Sequence, residues 1–529
     1  MRIRRRIEVD VGGNLDRKRD RRPTERRTVA VIGGGPSGIV AARYLRAHGF
    51  EPTIFEVSDD IGGQWNGRSP NSGAWPSMRT NTSRVMTQFS DLGYEAGVAA
   101  YPTNQEVHAY LRQYAEVFGL TSLVRAHTRV ELVETDQQRY RVTSRTQREV
   151  AKSESFDFVV AASGRYNKPY IPPVLGLPSF RGTGGARHSF YYKDPERYRG
   201  LRVLVAGCAI SALEIASDLA MVGAAKVVSC YRRQRYVLPK LAGGVPSDHV
   251  FFTRWAALAA ETFPPEVIQD ALKTAILQFN GSPEQYGAMK PDDDVTKAGI
   301  TLSQYFLPLV AEKRIEVKPW IRKIRGGVVA FEDGSEQEFD AILFSTGFEL
   351  NLPYLSKEMQ DKLRIDDYSL DLYRYTFSPD FKGLAFMEMH DQTGPIFPVL
   401  ELQARWIAYA WSGIVKVPTD DQMREAIRDF QPVREARMKT SVHQLALAFS
   451  REIGTEPRLS ANPELTRAAM FGPLAAVSFR IWGPEPLPDA AERFQKEAKE
   501  FGAVPTPDLT PAQKKQLQAL ERGRSKKAA

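Results

Sequence analysis

Residues 28–38 read Thr-Val-Ala-Val-Ile-Gly-Gly-Gly-Pro-Ser-Gly. A short apolar run, rich in β-branched residues, predicts a strand buried on both faces, as in a parallel sheet. It runs straight into glycines. Gly33 allows the tight turn, Gly35 lets the backbone approach a pyrophosphate, and Gly38 lets the next helix pack closely on the strand. Gly34, Pro36 and Ser37 complete the turn and open that helix, whose positive N-terminus favours the same anion. A second strand, 52–55, ends at Glu56. An acid there accepts hydrogen bonds from a ribose and suits an adenine dinucleotide without a 2′-phosphate, FAD or NAD. A glycine turn alone can be purely structural. Strand, turn, helix, strand and acid within about thirty residues make the full dinucleotide unit.

The unit recurs. A strand at 201–206 (LRVLVA) leads into Gly207-Cys208-Ala209-Ile210-Ser211-Ala212, then a helix over 213–222 and a strand over 226–230. Alanine replaces two glycines, so this is either a second phosphate turn, with Ser211 and Ala212 at the helix N-terminus, or a structural βα turn. No acid follows the second strand. Tyr231-Arg232-Arg233 stands there. Arg232 and Arg233 suit a 2′-phosphate, hence NADPH, or form a solvated loop. The endings repeat as well: DFVVAASG at 157–164 echoes DAILFSTG at 340–347, and each follows hairpin-like sequence.

Two copies of one unit, the second inside the first, predict an α/β fold. It has two Rossmann-like dinucleotide-binding domains, the second (165–346) inserted in the first (28–164 plus 347–500), which the resemblance described below makes an NADP domain inserted in an FAD domain. A chain of 529 residues, 42% hydrophobic, suits two or three domains. The net charge of +9 sits at the ends. Residues 1–27 hold eleven Lys/Arg against five Asp/Glu, and 512–529 hold six against one, leaving the body near −2. A nearly neutral body argues against nucleic-acid binding, and 1–27 and 501–529 read as basic, disordered tails. No apolar h-region follows the N-terminal arginines, and no apolar run reaches the roughly 18 residues of a membrane span. The expected location is cytoplasmic. The two cysteines, Cys208 and Cys230, fit neither a metal site nor a redox pair.

Phe55-Glu56, then Asp59 to Trp65 (DDIGGQW), Met78-Arg79-Thr80-Asn81-Thr82 and Phe89-Ser90-Asp91 resemble the flavin-containing monooxygenase family, within the class B flavoprotein monooxygenases. Phe180-Arg181-Gly182 with His188 is similar to that class's fingerprint, though five residues rather than three separate Gly182 from His188, and no tryptophan follows. Phe344 to Phe348 (FSTGF), Pro398 to Trp406 and Phe479 to Pro484 continue the resemblance, which covers about 28–500. It implies FAD and NADPH as cofactors. Gly63, Gln64, Trp65, Thr80, Asn81, Thr82, Val130 and Thr346 join the two turns as cofactor-contacting residues. The helix N-terminus at 398–402 either faces the flavin C2 carbonyl or is an ordinary buried helix. His188 is expected to be a structural residue at the domain junction.

The implied reaction is transfer of one oxygen atom of O2, through a C4a-(hydro)peroxyflavin, to an amine nitrogen or sulfide sulfur of a small organic substrate. Asn81 is the expected catalytic residue, a neutral donor beside the reactive oxygen; otherwise it caps a turn. Substrate-lining residues are sought within 236–310. No metal or nucleic acid is implied, and homo-oligomerisation is left open. Baeyer–Villiger oxygenation of a ketone is the rival reaction, and a catalytically silent nucleotide-binding sensor is the rival of another class.

Overall fold

The computed structural model describes residues 27–146 and 149–528. Its first sheet has five parallel strands in the order Leu384–Phe386, Phe158–Ala161, Arg27–Ile32, Phe50–Phe55, Val124–Arg125. The apolar run of the first strand is central, and Val29, Ala30 and Val31 are fully buried. Helix Pro36–Ala47 covers one face through Ile39, Val40, Tyr44 and Leu45. A three-stranded antiparallel sheet, Thr128–Asp136, Arg139–Thr146 and Lys152–Phe156, contributes Val133, Tyr140 and Val142 to the other.

The second sheet repeats the plan. Its parallel order is Glu316–Lys318, Lys226–Cys230, Arg202–Ala206, Ala341–Phe344, Gly185–His188. A second antiparallel three-stranded sheet, Ile321–Arg325, Val328–Phe331 and Glu336–Glu338, sits beside it. Every strand of this sheet lies between Phe158–Ala161 and Leu384–Phe386 of the first, so the second unit is inserted in the first. The outermost strand next to the closing strand differs in origin: Leu384–Phe386 arrives after the insertion, Gly185–His188 before its own central strand. The two connecting segments pair with each other, Lys168–Pro169 antiparallel to Phe348–Glu349.

Helix Phe397–Ser412 lies in the core of the first domain, with Trp406 fully buried. Polar groups fix it there. Glu401 accepts from Tyr44 Oη (2.8 Å) and Ser90 N (2.7 Å), and Arg480 donates to the same Tyr44 Oη (2.7 Å) and to Ser90 Oγ (3.1 Å). A buried cation and anion sharing two hydroxyls leave little polar surface unsatisfied, which is the condition for burying either.

One expectation needs correction. The C-terminal stretch does not stay irregular: Pro511–Ala528 is a helix, Leu520 is buried, and Gly523 approaches Thr262 and Phe263 at the end of helix Arg254–Thr262. Apolar Leu517 and Leu520 give it one face to bury. The N-terminal tail, apart from Arg27, lies outside the described residues. No described helix is long and apolar enough to cross a membrane.

Candidate functional site

All strands of the first sheet are parallel, so their carboxyl ends share one edge, where α/β folds bind ligands. There Gly33 has φ +109°, and a Cβ on it would lie 2.4 Å from Ala162 O. A Cβ on Gly38 would lie 1.9 Å from Gly33 O, which is why helix and strand can meet only through glycine. Gly35 faces Gly63: a Cβ on Gly63 would come within 3.0 Å of Gly35 Cα. The helix beginning at Pro36 has no side-chain cap and no acid in its first turn, so its N-terminal amides remain for an anion. Glu56 is buried and accepts from Gly34 N and Ser58 N, each at 2.7 Å. The cradle has the shape and donors that a dinucleotide pyrophosphate requires.

The second turn matches the first bond for bond. Gly33 N donates to Phe55 O at 2.9 Å, and Gly207 N donates to Cys230 O at 2.9 Å. Phe55 therefore corresponds to Cys230, and Glu56 to Tyr231, which is buried and donates to Gln234 Oε1 at 2.6 Å. Gly207 again needs its glycine: φ is +134° and a Cβ would meet Ser345 O at 2.4 Å. Ala212 takes the place of Gly38, and its methyl is accommodated fully buried. Helix Ile210–Val222 likewise lacks a side-chain cap, and Ser211 is exposed in its first turn. Arg232 and Arg233 are exposed at the end of strand Lys226–Cys230, with the Arg232 guanidinium 4.8 Å from the Trp320 ring centroid.

The loop bearing Thr80, Asn81 and Thr82 follows Trp75 and Ser77. It is tied to both domains. Trp75 packs edge-on to Tyr192 of the insertion at 5.8 Å, Ser77 Oγ donates to Asp218 Oδ2 at 2.9 Å, and Thr80 N donates to Pro102 O at 2.8 Å. Thr80 Oγ1 donates to Thr82 O at 2.8 Å, and the Thr82 and Thr87 hydroxyls bond at 2.8 Å. Asn81 is half-buried, and its amide bonds to no other protein group among the described residues. It caps no turn.

Other expected residues hold the frame. Gln64 accepts from Gly73 N at 2.7 Å and donates to Tyr166 O at 3.3 Å, stapling its loop, while Trp65 packs on the main core. Val130 is buried in the core cluster beside Phe55. The Thr346 hydroxyl is committed to Tyr170 O at 2.5 Å. His188 is buried; its Nδ1 accepts from Phe190 N at 3.0 Å, its ring meets Phe348 at 5.0 Å, and burial pulls its pKa down to about 4.

Three titratable residues on the same edge escaped sequence reasoning. Glu388 lies just beyond Leu384–Phe386, with φ +59°. Its carboxylate accepts from Ser37 Oγ at 2.9 Å, in the first turn of the glycine-turn helix, and from Gln392 Nε2 at 3.1 Å; burial raises its pKa. Arg165, beyond Phe158–Ala161, is buried between the Tyr166 and Tyr368 rings and donates to Tyr368 O at 3.2 Å. His390 is buried and stacks on Tyr375 at 4.4 Å, with its pKa pulled down to about 3 by burial and then by Arg165. No local motif marks them, because only the pairing of strands 158–161 and 384–386 brings the two loops together. A cavity of about 520 Å³, lined by Leu372, Tyr375, Phe430 and Leu445 among others, opens beside Tyr375. It lies outside 236–310, where substrate-lining residues were sought.

Two nested dinucleotide sheets, one ending in an acid and the other in cations, with a loop clamped between them, define a flavoprotein that takes a second, nicotinamide dinucleotide. The chain belongs to the flavin-binding monooxygenase-like family, whose model matches residues 26–497. It is an NADPH-dependent flavin monooxygenase that uses FAD. It is 29% identical over 487 residues to dimethylaniline monooxygenase (N-oxide-forming) 2 of Rattus norvegicus, covering 86% of this chain and 89% of that one. It is 27% identical over 487 residues to flavin-containing monooxygenase 5 of Homo sapiens, covering 87% and 89%. Among solved structures, S-allyl-L-cysteine S-oxygenase from Allium sativum has the same fold, with TM-score 0.61 at 22% identity over 95% of this chain and 99% of that one. Cyclohexanone monooxygenase also shares it, with TM-score 0.61 at 17% identity over 83% and 98%.

Proposed function

We propose that the chain transfers one oxygen atom to a soft nucleophile, an amine nitrogen or a sulfide sulfur, of a small organic substrate. In this reading Gly33 to Gly38 and Glu56 hold FAD, and Gly207, Ser211, Ala212 and Arg232 or Arg233 hold NADPH. FAD, once reduced by NADPH, supplies the activation of O2. The protein's own part is position and the exclusion of water. One observation carries the reading: among the described residues Asn81 offers an amide with no protein partner, on a loop tied to both dinucleotide-type domains. A neutral donor there stabilises developing charge on oxygen without giving up a proton. The relatives named as N-oxide-forming support nitrogen as an acceptor.

Baeyer–Villiger oxygenation has one observation in its favour, the buried guanidinium of Arg165 on the same edge. Incubation with NADPH, O2 and parallel panels of amines, sulfides and ketones separates the readings. A +16 product from amines or sulfides supports ours; esters or lactones from ketones alone overturn it. A cytoplasmic location goes with this reading, supported by two buried free thiols, Cys208 and Cys230, which suit a reducing compartment.

A further inference from the structure

Ser83 stands two residues beyond Asn81, at the N-cap of the short turn Arg84–Met86. A serine at an N-cap ordinarily turns its hydroxyl back to the amides of its own turn. Here that local bond is absent, and the side chain reaches elsewhere. Ser83 Oγ and His249 Nε2 are 3.0 Å apart, and Ser83 N donates to Asp248 Oδ2 at 2.7 Å. Ser83 and His249 are fully buried and Asp248 nearly so. Asp248 and His249 belong to helix Ser247–Phe251, inside the inserted segment. Two residues 165 and 166 positions away thus grip the backbone and side chain of one serine.

The arrangement is not a nucleophile-activating triad. Asp248 contacts Ser83 and not the imidazole, whereas a triad needs the acid on the histidine. Its geometry is that of a clamp. His249 is braced edge-on by Phe501 at 5.4 Å. The Ser83 carbonyl accepts from Thr87 Oγ1 at 2.8 Å, and Arg84 N donates to Ala100 O at 2.8 Å, so Ser83 is the fixed end of the loop. The Asn81 side chain, two residues earlier, makes no hydrogen bond of its own among the described residues; on its other side Thr80 N donates to Pro102 O at 2.8 Å. Hydrogen bonds in a water-poor interior are stiff, and supporting groups of this kind set the direction of a functional side chain.

We propose that Asp248 and His249 are positioning residues of the oxygenation site: by clamping Ser83 from the inserted segment they set the direction of the Asn81 amide. This rests on the role given to Asn81 above. It also supplies a physical link between the two domains, since a shift of helix Ser247–Phe251 is passed to Asn81 through two hydrogen bonds. Burial pushes the Asp248 carboxyl up to about 7, and the Ser83 N–H works against that rise by favouring the ionised form.

The test uses the holoenzyme and the variants Asp248→Ala, His249→Ala, Asp248→Asn, His249→Gln and Asn81→Leu, with the double variant Asp248→Ala/Asn81→Leu. Four quantities are measured: FAD content, the rate of flavin reduction by NADPH, the ratio of oxygenated product to H2O2, and hydrogen exchange of peptides covering 79–88. The alanine variants should keep FAD and reduce at near the parental rate. Their product-to-peroxide ratio should fall about tenfold, the equivalent of leaving one buried hydrogen-bonding group without its partner. Exchange over 79–88 should quicken by about the same factor. Asp248→Asn and His249→Gln, which keep a hydrogen-bonding group, should recover most of both. The double variant should be no worse than Asn81→Leu alone, because two changes on one path do not add. Parental coupling in both alanine variants, or additive losses in the double variant, overturns the proposal. A fully coupled Asn81→Leu overturns the underlying reading, whereas an uncoupled Asn81→Leu beside coupled alanine variants removes the clamp alone. If either alanine variant does not hold FAD, the other is judged alone, together with Ser83→Ala, which deletes only the hydroxyl contact to His249, under the same criteria.

Discussion

Glu56 spends both carboxylate oxygens on backbone amides, Gly34 and Ser58, and so shapes the turn as well as standing where the proposed reading puts a ribose. Glu56→Ala should therefore purify pale and regain colour only with excess FAD, whereas Glu56→Gln, which keeps one acceptor, should lose less. Flavin absorbance per mole of protein measures this; tight, stoichiometric FAD in Glu56→Ala would remove the assignment. Asn81 is the opposite kind of residue, its amide having no hydrogen bond to lose among the described residues. Asn81→Leu should fold, bind FAD and be reduced by NADPH normally. Its NADPH consumption should run to H2O2, with a loss of about 3 kcal/mol in the productive step, roughly a hundredfold. Equal coupling in variant and parent sinks the idea. A variant that fails to fold would restore the turn-capping role that the structure argues against.

The two glycine turns make the same backbone bond but tolerate different side chains. Gly38→Ala places a methyl 1.9 Å from Gly33 O, a backbone atom that cannot swing aside as the end of a side chain can. It should cost on the order of 1–3 kcal/mol of stability by overpacking and weaken FAD retention. Ala212→Gly opens no such contact and should shift the melting temperature far less. Thermal unfolding of the two variants side by side tests the difference, and equal losses would mean that the turns are equivalent. At the far end of the second strand the element ends in cations instead of an acid. Removing Arg232 and Arg233 together should raise KM for NADPH by an amount worth about 1.5–3 kcal/mol, and leave NADH little changed. A matching loss with NADH would mean the arginines shape the loop instead.

At the scale of the whole molecule, buried titratable groups set a pH window. His188 and His443 are drawn down to about 4, and His249 and His390 to about 3, all chiefly by burial. The unfolded chain then binds more protons than the native one below its ordinary histidine pKa, so stability falls as pH drops through about 6.5 toward 4. Asp248 and Glu497 are raised by burial, to about 7 and about 8. Their stability contribution is full below the unfolded carboxylate pKa and is lost as pH rises through those values. Melting temperature should therefore peak near neutral pH or slightly below and fall on both sides. Glu497→Gln, which can keep the bond from Gln88 Nε2, should flatten the alkaline limb. An alkaline limb unchanged in that variant would place the titrating group elsewhere.

Residues 28–38 with Glu56 determined the first domain, because a phosphate turn needs its glycines in one local order and leaves that order in the chain. The echo of 157–164 in 340–347 likewise determined the nesting of one sheet in the other. Asn81 was legible as a residue, since its loop is contiguous. Its freedom from any protein partner was not. Glu388 and Arg165 were invisible for a related reason: parallel pairing of 158–161 with 384–386 joins loops more than two hundred residues apart. The C-terminal helix is not legible because its composition is polar, and only packing against helix Arg254–Thr262 gives Leu520 somewhere to be buried. Local backbone demands are written locally in a sequence. Which distant side chains share an edge, a cavity or a clamp is decided by the register of strands and the packing of helices, and that exists only once the chain is folded.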